Sequence, residues 1–246
     1  WLPLWILVTQ NDRVRARLAE PDLDAEPHAP DAEAKTPESR WHLLRSRAVQ
    51  RAVGLVILSS PGVMFVLIWF PQFLEKAFSV KENDIGHYAW VPPLFFDAGA
   101  VLFGALASRR ERNLKSTSKE AVLSHVDLMV VAGTLASSII LLPNAASPWM
   151  AVFIASASLA GGGALFARLT ADMIARVDAA HVSTAGGITA AAQSLAYVIA
   201  NPLVGHSVDA TGGYSRAAFT IGCLALPGAL VWVLWSPKNG SVKAAG

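Results

Sequence analysis

The sequence predicts an all-α integral membrane protein with six transmembrane helices. Three observations carry this. Hydrophobic residues make up 53% of the 246 residues and charged residues only 15%, with a mean hydropathy of +0.42. A soluble domain carries about 25% charge, so the shortfall needs another solvent. The charges that remain cluster in a few stretches separated by long uncharged runs, the pattern lipid imposes by making charge in hydrocarbon costly. Basic residues also fall mostly on alternate sides of those runs.

Each element follows in order. Trp1-Leu-Pro-Leu-Trp-Ile-Leu-Val8 is apolar from its first residue but too short to span, and lacks the basic start and small-residue cleavage site of a signal peptide. The expectation for 1–9 is the end of a preceding transmembrane helix, in a fragment of a longer protein. Residues 10–51 are charged and Pro-rich, and read as a cytoplasmic linker in which His28 has no structural role. A spanning helix needs about 20 mostly apolar residues. That ruler gives a six-helix membrane domain over 52–236, with spans at about Ala52 to Phe78, His87 to Ser108, Leu123 to Leu142, Trp149 to Met173, Thr184 to Gly205 and Ala217 to Trp235. The runs are too long, and lack the period-2 alternation, for barrel strands. Pro61, Pro71, Pro92, Pro93 and Pro227 inside them predict kinks. Residues 237–246 read as a cytoplasmic tail.

With the linker inside, the inner segments hold Lys35 and the linker arginines from Arg13 to Arg51, the Arg109, Arg110, Arg112, Lys115 and Lys119 loop, Arg176, Lys238 and Lys243. The outer segments hold only Lys76, Lys81 and Arg216. This asymmetry predicts a cytoplasmic C-terminus in a multi-pass protein of the inner or plasma membrane. Trp69, Tyr88, Trp90 and Trp149 are expected near the outer interface, Trp232 and Trp235 near the inner one.

Polar groups at membrane depth are the functional candidates. Asp97 lies near the middle of the second span, with Ala100 and Gly104 on the same face. It reads either as a structural carboxylate bonded to a neighbouring helix or as a solute or proton contact. In the fifth span Thr189, Gln193, Tyr197 and Asn201 recur at spacing 4, while Leu195, Val198 and Ile199 occupy other faces. That stripe reads equally as a helix–helix hydrogen-bonding seam or as the lining of a solute cavity. Arg168 and Asp172, at i,i+4, read as an interfacial pair with Arg168 reaching to the headgroups. His125 and Asp127 read as a helix start. Gly161-Gly-Gly163 admits close packing, a bend or access to a cavity.

Several chemistries are excluded. Cys223 stands alone, so no disulfide scaffold or thiolate zinc cluster forms. The spaced His/Glu zinc motifs, a Gly-x-Ser-x-Gly elbow and a Walker-type phosphate loop are absent, so no catalytic residue, metal or cofactor is expected. A net charge of +2 does not suggest a nucleic-acid partner.

Six spans after a long linker and a broken helix resemble the second half of a major facilitator superfamily transporter. Trp69-Phe-Pro-Gln-Phe-Leu74 is similar to the Trp-[Phe/Leu]-Pro-x-Tyr-Leu signature of the anion:cation symporter family, with Phe73 in place of Tyr. Phe78-Ser-Val-Lys-Glu-Asn83 resembles that family's short outer loop. Tyr88-Ala-Trp-Val-Pro-Pro-Leu-Phe-Phe-Asp-Ala-Gly99 resembles the eighth helix of its hexuronate-transporter branch, including an Asp at the place of Asp97. Ser108 departs from the superfamily's cytoplasmic signature, which has Asp there. The resemblance implies the C-terminal half of a secondary active transporter for a small organic anion such as a sugar acid, coupled to protons or sodium. The implied partners are the lipid bilayer, the anion with its cation, and an N-terminal six-helix half. Gln193, Thr189, Tyr197 and Asp97 would line the solute cavity between the halves. Two rival readings are a non-transporting membrane receptor or scaffold and a six-span intramembrane hydrolase.

Overall fold

The structure is a computed structural model describing residues 43–113, 118–177 and 179–235, side chains of 111–125 excepted. All belong to one compact unit, Arg40–Gly246. The expectations for 1–9, for most of the linker including His28, for the His125 side chain and for the tail lie outside these residues. Among the described residues there are helices and no strand, and six helices are long and apolar enough to cross a membrane: Arg47–Phe78, Glu82–Arg110, Val126–Asn144, Pro148–Arg176, Ala179–Thr211 and Ser215–Leu234.

Proline placement explains the irregularities. The first span is α-helical over Arg47–Met64, forms a π turn over Phe65–Trp69 and resumes as α-helix over Phe70–Phe78. Pro71 has no N–H to offer the carbonyl one turn back, and its ring crowds that carbonyl, so the preceding turn widens. The helix closes at Ser79, a left-handed residue (φ 55°) whose N–H bonds to the Glu75 carbonyl at 2.9 Å. The second span divides at Trp90 into Glu82–Ala89 and Val91–Asn113 because Pro92 and Pro93 remove two successive donors. The third, Ser118–Ser137, tightens into a 3-10 turn over Ser138–Asn144 that contains Pro143. The fourth, Pro148–Arg176, starts with Pro148 in its first turn and Ser147 as cap, whose hydroxyl accepts from the Met150 N–H at 3.3 Å. The α-helix of the fifth, Val182–Thr211, ends on left-handed Gly212. Pro61 and Pro227 sit inside continuous helices.

The fourth span is the hub, 61% buried over its most apolar stretch against 22% for the second and 17% for the fifth. Lipid gives helices no hydrophobic reason to associate, so close approach at small residues does that work. A Cβ on Gly161 would strike the backbone of Ala132 and Ala136 in the third span, and one on Gly163 would strike the Phe96 carbonyl in the second. Gly162 faces Val63 of the first span, where a Cβ would stand 3.1 Å from Cγ2. Three consecutive glycines thus address three neighbours, and the helix runs on unbroken. On the second span the close contact is made by Gly99, against Ala160, whereas Gly104 has nothing within 4 Å. The sixth span seats Gly222 on Ile140 and Gly228 on Leu58.

Several expectations are corrected by tertiary contacts. The first helix begins at Arg47, inside the stretch read as linker, and Arg51 is buried at 4% exposure. Its guanidinium donates to Asp172 Oδ2 at 3.2 Å and to the Trp232 carbonyl at 2.8 Å, and lies 4.3 Å over the Trp232 ring. It therefore caps the end of the sixth span, where carbonyls lack intrahelical donors. Asp172 takes Arg51 and Arg176, the latter at 2.7 Å, and Arg168 is buried rather than extended to the headgroups. Trp232, in the last turn of the sixth span, is likewise buried and held under Arg51. Asp127 lies well inside a helix that starts at Ser118 and pairs with Arg110 across two spans at 2.6 Å.

At the opposite end, Tyr214 packs edge-on against Phe65, Trp69 and Phe73. It lies in the turn between the fifth and sixth spans. Burial pushes its hydroxyl above the ordinary tyrosine range, and the charges of Glu75 and Asp209 push the same way.

Candidate functional site: a cavity between the first, second and fifth spans

The second and fifth spans are the least buried, and a cavity of about 320 Å³ opens between them and the first. Val63 and Leu67 come from the first span, the latter from its π turn. The second contributes Pro93, Phe96 and Asp97, the fourth Leu159, and the fifth Gln193 and Tyr197. An apolar wall with a few convergent polar groups is the usual make-up of a small-molecule site. A narrower cleft of about 20 Å³ adjoins it, sharing Val63, Phe96 and Gln193 and adding Ser59, Ser60 and Gly162. Gly162 thus has a use beyond packing, since a side chain there would intrude on this cleft.

Three of the four sequence-derived candidates meet here. Asp97 is exposed toward the cavity, and Gln193 and Tyr197 are half-buried on the facing helix. The Gln193 amide donates to the Tyr197 hydroxyl at 3.1 Å, so each fixes the other one helical turn apart. Thr189 is elsewhere: it is 7% exposed and its hydroxyl donates to the Gly186 carbonyl of its own helix at 2.8 Å. Asn201 is also removed from the cavity, because its side-chain oxygen accepts from Trp69 Nε1 at 2.8 Å. The stripe is therefore part seam, part lining. Leu195, Val198 and Ile199 are exposed on other faces of the helix.

Sequence reasoning missed Val63, Leu67 and Phe96, apolar residues indistinguishable by type from lipid-facing ones. Pro71 was the available signal for the π turn that presents Leu67. Among the described residues no group of three or more His, Cys, Asp or Glu side chains is placed to hold a metal ion.

No family model matches the chain. It is 26% identical over 251 aligned positions to the hexuronate transporter of Escherichia coli strain K12, a match covering 97% of this chain and 55% of that protein. It is 27% identical over 207 positions to the probable galactarate/D-glucarate transporter of Bacillus subtilis, covering 80% of this chain and 43% of the relative. A third match, 30% identical over 101 positions, is to the galacturonate transporter of Dickeya chrysanthemi, covering 39% and 29%. These relatives are transporters, not enzymes. The chain spans about half the length of the hexuronate and galactarate/D-glucarate transporters it matches. Over nearly its whole length the chain is similar in sequence to sugar-acid transporters, in a segment like their C-terminal half, and its six helices long and apolar enough to cross a membrane are consistent with half of a major facilitator superfamily fold.

Proposed function

We propose that this chain forms one wall of the solute pathway in a secondary active transporter for a small organic anion of the sugar-acid kind, driven by a proton or sodium gradient. The observation that carries the reading is the cavity on which Asp97, Gln193 and Tyr197 converge between the first, second and fifth spans. Similarity to hexuronate, galactarate/glucarate and galacturonate transporters supports the solute class. An N-terminal six-helix half closes the cavity from the open side of the second and fifth spans, and the two halves rock about the solute. The basic residues favour a cytoplasmic C-terminus in the plasma membrane.

In this arrangement Gln193 and Tyr197 hydrogen-bond the solute's oxygens, while Phe96, Val63 and Leu67 exclude water around it. Thr189 supports the fifth helix from behind. The test compares Gln193→Ala with Leu195→Ala in the intact transporter. Gln193→Ala strands a buried solute partner and is expected to weaken binding by about 1–2 kcal/mol, roughly 5–30-fold. Leu195, 56% exposed on another face, is expected to tolerate the change. Calorimetry on variants matched for thermal stability measures both. Unchanged affinity in Gln193→Ala together with loss in Leu195→Ala removes this cavity from the solute pathway.

A further inference from the structure

We propose that the narrow cleft beside the cavity holds one ordered water, which links Ser59 and Ser60 of the first span to Gln193 of the fifth and fixes the direction in which the Gln193 amide faces. Its bearing on the solute rests on the transporter reading above. The cleft measures about 20 Å³, room for one water and little more. Spaces of that size stay dry when their walls are apolar and hold water when two to four polar groups converge. Three converge here. The Ser59 hydroxyl gives its hydrogen to the Leu55 carbonyl at 2.8 Å and keeps lone pairs with which to accept. The Ser60 hydroxyl, on a residue only 4% exposed, and the Gln193 side chain are the other two. Gly162 and apolar side chains make up the rest of the wall.

Gln193 borders both the cleft and the larger cavity. Its amide nitrogen donates to the Tyr197 hydroxyl at 3.1 Å, which leaves the amide oxygen in want of a donor. A water in the cleft supplies one. The amide is then held with its oxygen toward the cleft and its nitrogen toward Tyr197. Tyr197, having accepted from Gln193, keeps its own hydrogen to donate. With the second amide N–H, the pair offers donors to the cavity, the polarity that an acceptor-rich anion requires. A half-turn of the amide reverses this, because its oxygen would then take the tyrosine hydrogen. Ser59 and Ser60 are therefore positioning residues, which act on the solute only through Gln193. Gly162 keeps the place open: a Cβ on it would stand 3.1 Å from Val63 Cγ2 and 3.8 Å from the Phe96 ring, both in the cleft wall.

The test uses the purified intact transporter, with galacturonate and glucarate as probes and variants matched for thermal stability. X-ray hydroxyl-radical footprinting without solute reads the water directly, because a held water oxidises the side chains around it. In the parent, the cleft residues Leu55, Leu165 and Leu169 are expected to be labelled although each is at most 2% exposed. Leu74 and Leu142, equally buried outside the cleft, are expected to stay unlabelled. Gly162→Ala is expected to lose the cleft label and to weaken probe binding roughly 2–10-fold, the worth of one hydrogen bond. Ser60→Ala is expected to weaken it similarly. Gly162→Ser differs from Gly162→Ala by one hydroxyl, which takes up the water's place, so it is expected to bind the probe more tightly than Gly162→Ala. An unlabelled cleft in the parent overturns the proposal. So does equal affinity in Gly162→Ala and Gly162→Ser, which would make the effect one of packing. So does a label that vanishes when probe saturates the parent, since the solute's own hydroxyl would then occupy the cleft. A parent that binds neither probe sinks the transporter reading and the positioning role with it, while the label still decides the water.

Discussion

Alanine substitution along Gly161, Gly162 and Gly163 is expected to give different results at adjacent positions. At Gly163 the new methyl lands on the Phe96 carbonyl, and a backbone carbonyl in a packed helix has no rotamer by which to move aside. Relief requires the second and fourth spans to part by about 1 Å, the kind of overpacking that costs about 1–3 kcal/mol. The contact is backbone on backbone, so the upper end applies. The gain from replacing Gly by Ala in a helix, about 1 kcal/mol, offsets only part of it. Gly161→Ala meets the backbone of the third span and behaves alike. Gly162→Ala meets only the far end of Val63 at 3.1 Å, and a small shift of that side chain cancels against the propensity gain. Gly54→Ala, with nothing within 4 Å, serves as control. Thermal unfolding in detergent, followed by size-exclusion recovery, should fall by about 2–4 °C per kcal/mol for Gly161→Ala and Gly163→Ala. Gly162→Ala should stay near the parent, and Gly54→Ala, which gains the helix propensity with no clash to offset it, should lie at or above the parent by up to about 1 kcal/mol. A Gly163→Ala variant as stable as the parent, or a Gly162→Ala variant as damaged as Gly163→Ala, refutes the three-neighbour packing.

Three further outcomes are expected. Arg51→Gln strips a buried pair from Asp172 and a donor from the Trp232 carbonyl, and should cost about 3–5 kcal/mol, with Arg51→Lys recovering only part because one ammonium cannot serve both acceptors and the ring; a parent-like melting temperature for Arg51→Gln contradicts this. A double-mutant cycle on Trp69→Phe and Asn201→Ala should return a coupling of about 0.6 kcal/mol, up to about 1.7, and zero coupling means the bond contributes nothing. In a Cys223→Ala background, single cysteines at Ser39, Ser116 and Thr211 probed on intact cells with an impermeant thiol reagent should label only at Thr211; labelling at Ser116 reverses the orientation.

The spans were legible because lipid enforces length and apolarity on each helix separately, so no knowledge of neighbours is needed. Asp97, Gln193 and Tyr197 were legible for the same reason: polarity at depth stands out against hydrocarbon. Thr189 was not separable from them, because a threonine hydroxyl can satisfy itself on its own helix, as this one does on Gly186. Arg51 misled in the opposite direction. As the last basic residue before an apolar run it reads as the end of the linker, and only the arrival of Asp172 and Trp232 from distant parts of the chain makes it a buried one. The glycine triplet admitted close packing, a bend or access to a cavity alike, and which neighbour each glycine meets is set by how the helices are arranged around the fourth span.

On the proposed transporter reading, the bond between Trp69 and Asn201 bears on how such a protein can change its solute. Within one polar stripe, the rung at Asn201 is committed to holding the first and fifth spans together, while the rung at Gln193 is bonded directly only to its own helical neighbour Tyr197. Mutation at Asn201 therefore disturbs the scaffold before any new solute is tried. Mutation at Gln193 alters the cavity and leaves the bond between the two spans intact. A lineage adapting to a new solute has a tolerant position and an intolerant one two turns apart, and its history should be written mainly at the first.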